Sequence, residues 1–453
     1  MIIGLDCAPP EIVFEDMRDD LPVLRGLMEQ GCFGNLESCD PPITVPAWSC
    51  MMSSKDPGTL GFYGFRNRAD HSYDGLTFAT SEKMTHARLW DILGRTGRHV
   101  VAIGVPMTFP PRPVNGEMIG CFLSPSTESR YTYPEQLREE IAGVVGEYML
   151  DVPDFRTDQK ERIYDDIVEM TKRRFALARH LRDTRPWEFL MMVEMGTDRL
   201  HHGFWRFYDP KHPDYEPGTK WEQAFRDYYK LVDEEVGRLI EGLGDETAVM
   251  VVSDHGAQSM FGGIQINEWL MQNGYLRLVD PPQSPTPIGK TTIDWSGTKV
   301  WADGGYYSRI FLNVRGREPE GVIAPEDYEA VRSELIEKLE ALGDEQGASI
   351  GTRVYRPEDL YHEVNGVAPD LIAYFGNLTW RSIGSVGDGR IHVRENDTGP
   401  DDANHAKMGI AIMAGPGMPT ALPADASLYD IAPTVLTAFG VPVPGDMQGR
   451  SLN

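Results

Sequence analysis

The chain has 453 residues, 41% of them hydrophobic and 25% charged, which suits a large α/β domain with insertions or two domains. Its formal net charge of −26 argues against a binder of nucleic-acid polymers, which needs a basic face. That charge also repels a phosphorylated substrate at long range unless cations in the site reverse the local field.

No uninterrupted apolar run is long enough to span a bilayer, so no membrane segment is expected. Five cysteines (Cys7, Cys32, Cys39, Cys50, Cys121) include no CxxC pair. Their pattern suggests reduced, mostly buried thiols rather than a disulfide frame.

Met1–Leu5 is an apolar strand that ends at Asp6. This end has no basic stretch and no small-residue cleavage pattern, so no signal peptide and a cytoplasmic protein are expected. Pro22–Gln30 has helical spacing and stops at Gly31, and Phe33–Glu37 reads as a strand. In the segment Asp40-Pro41-Pro42-Ile43-Thr44-Val45-Pro46-Ala47-Trp48-Ser49 the prolines forbid regular structure before Thr44. Helical spacing then begins after Pro46. Thr44 therefore lies just ahead of a helix, where free N–H groups and the positive helix end suit a phosphate. A plain threonine N-cap is the competing reading.

Lys55–Arg68 is rich in glycine and aromatic residues and reads as a loop, over a site or merely packed on the surface. Helices are expected at Ala87–Arg95, Pro134–Val145, Lys160–Arg182 and Trp221–Leu243. The third of these carries a basic cluster of Lys172, Arg173 and Arg174. His99–Val105 reads as a buried strand and Ile119–Leu123 as an edge strand.

Phe189–Val193 is an apolar strand that runs into Glu194-Met195-Gly196-Thr197-Asp198-Arg199-Leu200-His201-His202-Gly203. Asp198 and His202 are four apart, so on a helical turn they share a face and can grip one metal. His201 points elsewhere, toward a supporting role or a substrate contact. The run Ala248–Val252 is a strand buried on both faces, followed by Ser253-Asp254-His255-Gly256. In a parallel sheet, functional groups collect beyond the carboxyl ends of the strands.

The stretch 271–390 separates two site motifs and reads as an inserted α+β cap, with the core formed by 1–270 and 391–453. Within it Asp280–Ser296 is a loop, Tyr306–Val314 and Leu371–Phe375 are strands, and Pro325–Leu342 is a helix. Tyr306, Tyr307, Arg309 and Trp380 are candidates for a pocket wall, with core packing as the competing role. Asn404-His405 precedes a further apolar strand, Ile410–Ala414, and Tyr429–Gly440 is the last helix.

Asp6, Asp198 with His202, and Asp254 with His255 thus all follow apolar strands, and His405 sits just before another. With Thr44 they supply enough donors for two metals that keep open positions for substrate. Paired metals about 4 Å apart are a common device for displacement at phosphorus. Histidine and aspartate ligands without cysteine favour zinc, with manganese next.

These motifs occur in the order seen in the alkaline phosphatase superfamily. They most resemble its type I phosphodiesterase/nucleotide pyrophosphatase branch and related phosphohydrolases and phosphomutases. The tail Tyr429-Asp430-Ile431-Ala432-Pro433-Thr434-Val435-Leu436 with Gly449-Arg450-Ser451-Leu452 resembles that family's ending. The resemblance implies a doubly wound, mainly parallel α/β sheet and two divalent cations, zinc first and manganese second. One cation would take Asp198, His202 and His405. The other would take Asp6, Thr44, Asp254 and His255. Thr44 would attack phosphorus and form a phosphothreonine.

Phosphodiesterase relatives carry an asparagine in the loop after the nucleophile helix. The matching place here is about Phe65, and Asn67 is the nearest amide. Arg66 could hold a non-bridging oxygen instead, or form an ordinary surface salt bridge. The expected partner is a small phosphorylated or nucleotide-like substrate. A phosphomutase or phosphomonoesterase on the same scaffold is the alternative, and the oligomeric state is left open.

Overall fold

The computed structural model describes all residues, 1–453. Eight strands build the central sheet: β1 (Ile2–Leu5), β2 (Cys32–Glu37), β3 (Val100–Ile103), β4 (Gly116–Ile119), β5 (Thr132–Tyr133), β6 (Phe189–Glu194), β7 (Val249–Val252) and β8 (Met408–Ala414). Their spatial order is β2-β8-β7-β1-β6-β3-β4-β5. The middle five, β7-β1-β6-β3-β4, are parallel. Antiparallel pairings add β8 and β2 on one side and β5 on the other. Every residue of β1, β3, β6 and β7 is buried, as parallel strands flanked by helices on both faces must be. Helices Pro22–Gln30, Lys160–Thr184, Gly196–Tyr208 and Lys220–Ile240 pack together in one group, and Thr44–Ser53, Leu89–Arg95 and Ile431–Ala438 in another.

The direction of β8 determines what can reach the strand ends. A parallel β8 would carry the residues just before it to the far end of the sheet. Because β8 runs antiparallel to β7, those residues arrive at the carboxyl edge of β7 and β1. There Ala403–Ala406 pairs antiparallel with Gly256–Ser259, with Ala257 opposite His405. This short ribbon holds His405 beside His255.

A second hydrophobic core, running from Ile264 to Val386 in sequence, sits apart from the main one. It is built on a four-stranded antiparallel sheet, Val300–Asp303, Ser308–Leu312, Leu371–Tyr374 and Arg353–Tyr355, in that order. A small cluster of Ile43, Tyr63, Tyr307, Tyr361, Ile372, Tyr374 and Leu378 lies at the junction with the segment before Thr44.

Several expectations need correction. The strand anticipated at Ile119–Leu123 lies at Gly116–Ile119 and is not at the edge, since β5 pairs with it. The loop anticipated at Lys55–Arg68 contains a one-turn helix, Pro57–Leu60, and enters a hairpin of Arg66–Arg68 with Leu76–Phe78. Arg174 is no part of a surface basic patch. It is buried and donates to the carbonyls of Val193, near the end of β6, and of Met149 and Leu150 in the segment packed beside it. All five cysteines are free and buried.

Trp48, in helix Thr44–Ser53, fits against β1 only because residue 4 is glycine. A β-carbon there would come within 2.4 Å of the Trp48 ring and 2.9 Å of Val193. The indole is thereby seated to donate from Nε1 to Asp6 Oδ2 at 2.7 Å. Gly4→Ala is therefore expected to destabilise the fold by about 1–3 kcal/mol through overpacking, read from the midpoint of denaturant unfolding.

Candidate active site

Five segments converge at the carboxyl edge of the sheet. β1 delivers Asp6, helix Thr44–Ser53 delivers Thr44, and β6 with helix Gly196–Tyr208 delivers Asp198 and His202. β7 delivers Asp254 and His255, and the ribbon before β8 delivers His405. All seven side chains are buried.

Thr44 is the first residue of its helix, not the cap. The capping position is Ile43, and no side chain caps the helix. The threonine hydroxyl is free to turn inward, where Oγ1 donates to Asp6 Oδ1 at 3.4 Å and lies 3.3 Å from His255 Nε2. The first-turn N–H groups of any helix lack intrahelical acceptors and carry partial positive charge. At Thr44 this places the hydroxyl beside a natural seat for an anion.

The donors fall into two sets. In the first, Asp6, Asp254 and His255 have ligand atoms within 4.8 Å of one another. In the second, Asp198, His202 and His405 do. The imidazole tautomers follow from their outer partners, because a carbonyl oxygen can only accept. His255 Nδ1 donates to the Gly256 carbonyl at 3.1 Å, and His405 Nδ1 to the Pro42 carbonyl at 2.8 Å. Each therefore turns a bare Nε2 into the site. The two rings stack with centroids 3.9 Å apart. Burial lowers His255 to about 4, and burial with the neighbouring imidazoles holds His405 well below its ordinary value. Both are neutral near pH 7, as metal ligands must be.

His202 is anchored differently. Its Nδ1 meets Asp401 Oδ1 at 2.7 Å, and its Nε2 faces Asp198 Oδ1 at 3.2 Å and His405 Nε2 at 3.4 Å. Burial opposes charge on this ring, yet Asp401, Tyr306 and Asp198 hold its pKa well above the usual value. Asp401 also accepts from Arg156 Nε at 2.8 Å and Arg381 Nη1 at 2.9 Å. Despite burial, His202 and these guanidinium groups keep its carboxyl below the ordinary carboxylate range.

The carboxylates show what the site lacks on its own. Asp198 Oδ1 and Asp254 Oδ2 are buried without a hydrogen-bond partner. Burial, then Asp198, push Asp6 well above its ordinary pKa, and burial, then Asp6, do the same for Asp254. Such groups are costly to bury as anions unless positive charge sits among them. Hard oxygens and borderline nitrogens, unpartnered and converging, fit divalent cations of the zinc or manganese type. A third grouping, Cys7 with His255 and His405, is also compact. Burial and the surrounding aspartates raise the Cys7 thiol well above its ordinary pKa, and it donates to the Gly256 carbonyl at 3.3 Å.

Beside the donors opens a cavity of about 530 Å³ lined by Thr44, Asp198 and His405 on its floor and by Tyr306, Tyr307 and Arg309 on its wall. A cavity of similar size, near Met1, Phe189 and Ala248, opens at the opposite end of the strands and reaches none of these donors. Trp380 is not on the wall; it packs edge-on against His392. Two of the proposed substrate contacts lie elsewhere. His201 is buried among Trp205, Phe225 and Tyr229, with Nε2 2.8 Å from the Tyr229 hydroxyl. On a helix it faces about 100° away from His202, into the core. Asn67 closes its own turn, accepting from Tyr63 N at 2.8 Å and donating to the Gly64 carbonyl at 3.0 Å. Arg66 does reach the cavity.

Sequence reasoning missed Asp401, Arg199, Arg156 and Arg381. Arg199 pairs with Asp198 and, at 2.8 Å, with Asp151. Its position next to Asp198 was a usable signal. Asp401, four residues before His405, carried none, because its partners lie some 20 to 245 residues away.

Over residues 1–401 the chain matches the model of the type I phosphodiesterase / nucleotide pyrophosphatase family. No curated protein matches it. Among solved structures, phosphonoacetate hydrolase from Sinorhizobium meliloti 1021 in complex with phosphonoacetate is similar, with 14% identity and a TM-score of 0.61 over 96% of this chain and 95% of that one. Human ectonucleotide pyrophosphatase/phosphodiesterase 5 is similar with 14% identity and a TM-score of 0.55, over 98% and 95%. An inactive form of the murine enzyme in complex with AMP gives 12% identity and a TM-score of 0.56, again over 98% and 95%. At such identities the likeness speaks to the fold alone. By its family match the chain, whose fold is alkaline phosphatase-like, belongs to the type I phosphodiesterase/nucleotide pyrophosphatase family, a family of metal-dependent phosphoester hydrolases.

Proposed function

We propose that this protein hydrolyses small phosphodiesters or nucleotide-like pyrophosphates through a covalent phosphothreonine on Thr44. The observation that carries the reading is the placement of Thr44 Oγ1 between Asp6 Oδ1 and His255 Nε2, 3.4 and 3.3 Å away, on the floor of the cavity. Asp198, His202 and His405 would hold one divalent cation, and Asp6, Thr44, Asp254 and His255 the other. When bound, such cations lower the pKa of a hydroxyl or water and neutralise charge on phosphoryl and leaving oxygens.

The chain's own groups supply the rest. The Thr44 hydroxyl proton points at Asp6 Oδ1, so its lone pairs are left for phosphorus. Trp48 Nε1 fixes Asp6 by its other oxygen. As Oγ1 passes its proton to Asp6 Oδ1 and bonds to phosphorus, the bond from phosphorus to the leaving oxygen breaks, and the alcohol or nucleotide departs with a proton taken up from water. Water then attacks the phosphothreonine and restores the hydroxyl. The first-turn N–H groups of helix Thr44–Ser53 offset charge on the phosphoryl oxygens. The similar phosphonoacetate hydrolase binds phosphonoacetate and the similar murine protein binds AMP; both ligands carry a phosphorus oxyanion of the size this cavity admits. We assign residues 271–390, which supply Tyr306, Tyr307 and Arg309 to the wall, the role of a substrate-specificity cap.

Three outcomes are expected. Thr44→Ala should reduce turnover of bis-(p-nitrophenyl) phosphate by at least about a thousandfold, the scale seen when a covalent nucleophile is removed; unchanged turnover would rule out the covalent route. Hydrolysis in ¹⁸O-water should place label in the released phosphoryl product, whereas a phosphomutase would return an unlabelled ester. Asp401→Asn should weaken zinc binding by about 10–100-fold, as loss of a ligand's outer partner does, measured by calorimetric titration of the metal-free protein.

A further inference from the structure

The cavity beside Thr44 is rich in guanidinium groups in a chain of net charge −26. Arg66, Arg156, Arg199, Arg309 and Arg381 all line it. Four of the five are matched by carboxylates. Arg199 is held by Asp151 and Asp198, and Arg156 and Arg381 share Asp401. Arg309 sits 3.3 Å from Asp303. The remaining acid on the wall, Asp397, is engaged with Gly384 N and Ser385 Oγ, both at 3.2 Å.

Arg66 has no carboxylate within ion-pair distance, so the surface salt bridge anticipated for it does not form. It is nonetheless placed with some care. Its carbonyl accepts from Arg309 Nη1, and its backbone pairs with Phe78 across the Arg66–Arg68/Leu76–Phe78 hairpin. Its guanidinium carbon lies 4.9 Å over the Phe78 ring. The aromatic face supports the plane of the cation, and no protein acceptor holds its N–H groups. Leu76 of the same hairpin also lines the cavity. A substrate seated at Thr44 thus shares its cavity with a guanidinium that no carboxylate matches.

We propose that Arg66 binds a second anionic group carried on an ester arm of the substrate, so that the preferred substrate is a phosphodiester one of whose substituents itself carries a carboxylate or phosphate. This assignment rests on the phosphoester reading of Thr44. Arg66 is a specificity-determining residue here, since a planar fork of N–H donors matches a carboxylate or phosphate through two hydrogen bonds. Its unmatched charge offsets, at short range, part of the repulsion that the acidic chain imposes on such a substrate.

The test uses three matched p-nitrophenyl diesters, the butyl, 3-carboxypropyl and 3-phosphonopropyl phosphates, with zinc-loaded protein. Wild type should favour one or both charged diesters over the butyl ester in kcat/KM by on the order of tenfold or more, and which one separates the carboxylate from the phosphate source. In Arg66→Gln that ratio should fall toward one. Absence of a preference in wild type, or its survival in Arg66→Gln, overturns the proposal. Binding keeps the test independent of turnover. Calorimetry on Thr44→Ala should show tighter binding of 3-carboxypropyl or 3-phosphonopropyl phosphate than of butyl phosphate, lost on adding Arg66→Gln. If no diester is turned over but this binding difference holds, the reading of Thr44 fails and that of Arg66 stands. If turnover occurs and neither preference exists, the reverse is true.

Discussion

Buried negative charge governs this molecule. Asp6, Asp198 and Asp254 are out of water at one sheet edge, and two of their oxygens have no protein donor. Carboxylates so placed either protonate or gather positive charge. The surroundings are built for the second course. Three imidazoles turn nitrogen atoms toward them, a helix begins there, and arginines stand around the rim. His202 and Arg199 already offset the burial of Asp198, whereas divalent ions, with which this family works, would relieve the cost that remains at Asp6 and Asp254.

Support for the donors runs outward in layers. Trp48 fixes Asp6, and Gly4 makes room for Trp48. Carbonyls of Gly256 and Pro42 fix two imidazoles in the tautomer that leaves Nε2 bare. Asp401 fixes the third and ties it to Arg156 and Arg381. Arg156 also donates to the hydroxyl of Tyr306, whose ring stacks on His405 with centroids 4.2 Å apart. The wall of the cavity and the floor are thus one hydrogen-bonded body.

The arginines divide into two kinds. Those with carboxylate partners hold the frame, and their charge is already matched. Arg66, on a short hairpin of its own, is the one whose charge is left over. An unmatched cation at the mouth of a cavity, in an acidic chain, is a local reversal of field that a small anion can use.

The strands β1, β6 and β7 were legible because runs such as Ala248–Val252 are apolar throughout and end abruptly in charged residues. Asp198 and His202 were legible as a pair because helical spacing of four is a property of the sequence itself. Thr44 was placed at a helix start by Pro46. What periodicity could not convey was direction in space. The antiparallel run of β8 puts His405 at the site, and a register in a two-stranded ribbon puts it beside His255. The fate of His201 was likewise closed to local reasoning, since it is claimed by a neighbour chosen by packing, whereas Asn67 is taken up by its own turn. Asp401 acquires its importance only from an imidazole and two guanidinium groups brought in by distant segments. Burial patterns and turn chemistry are short-range and written in the chain. Ion pairing across hundreds of residues depends on the sum of all packing, and only the folded structure resolves it.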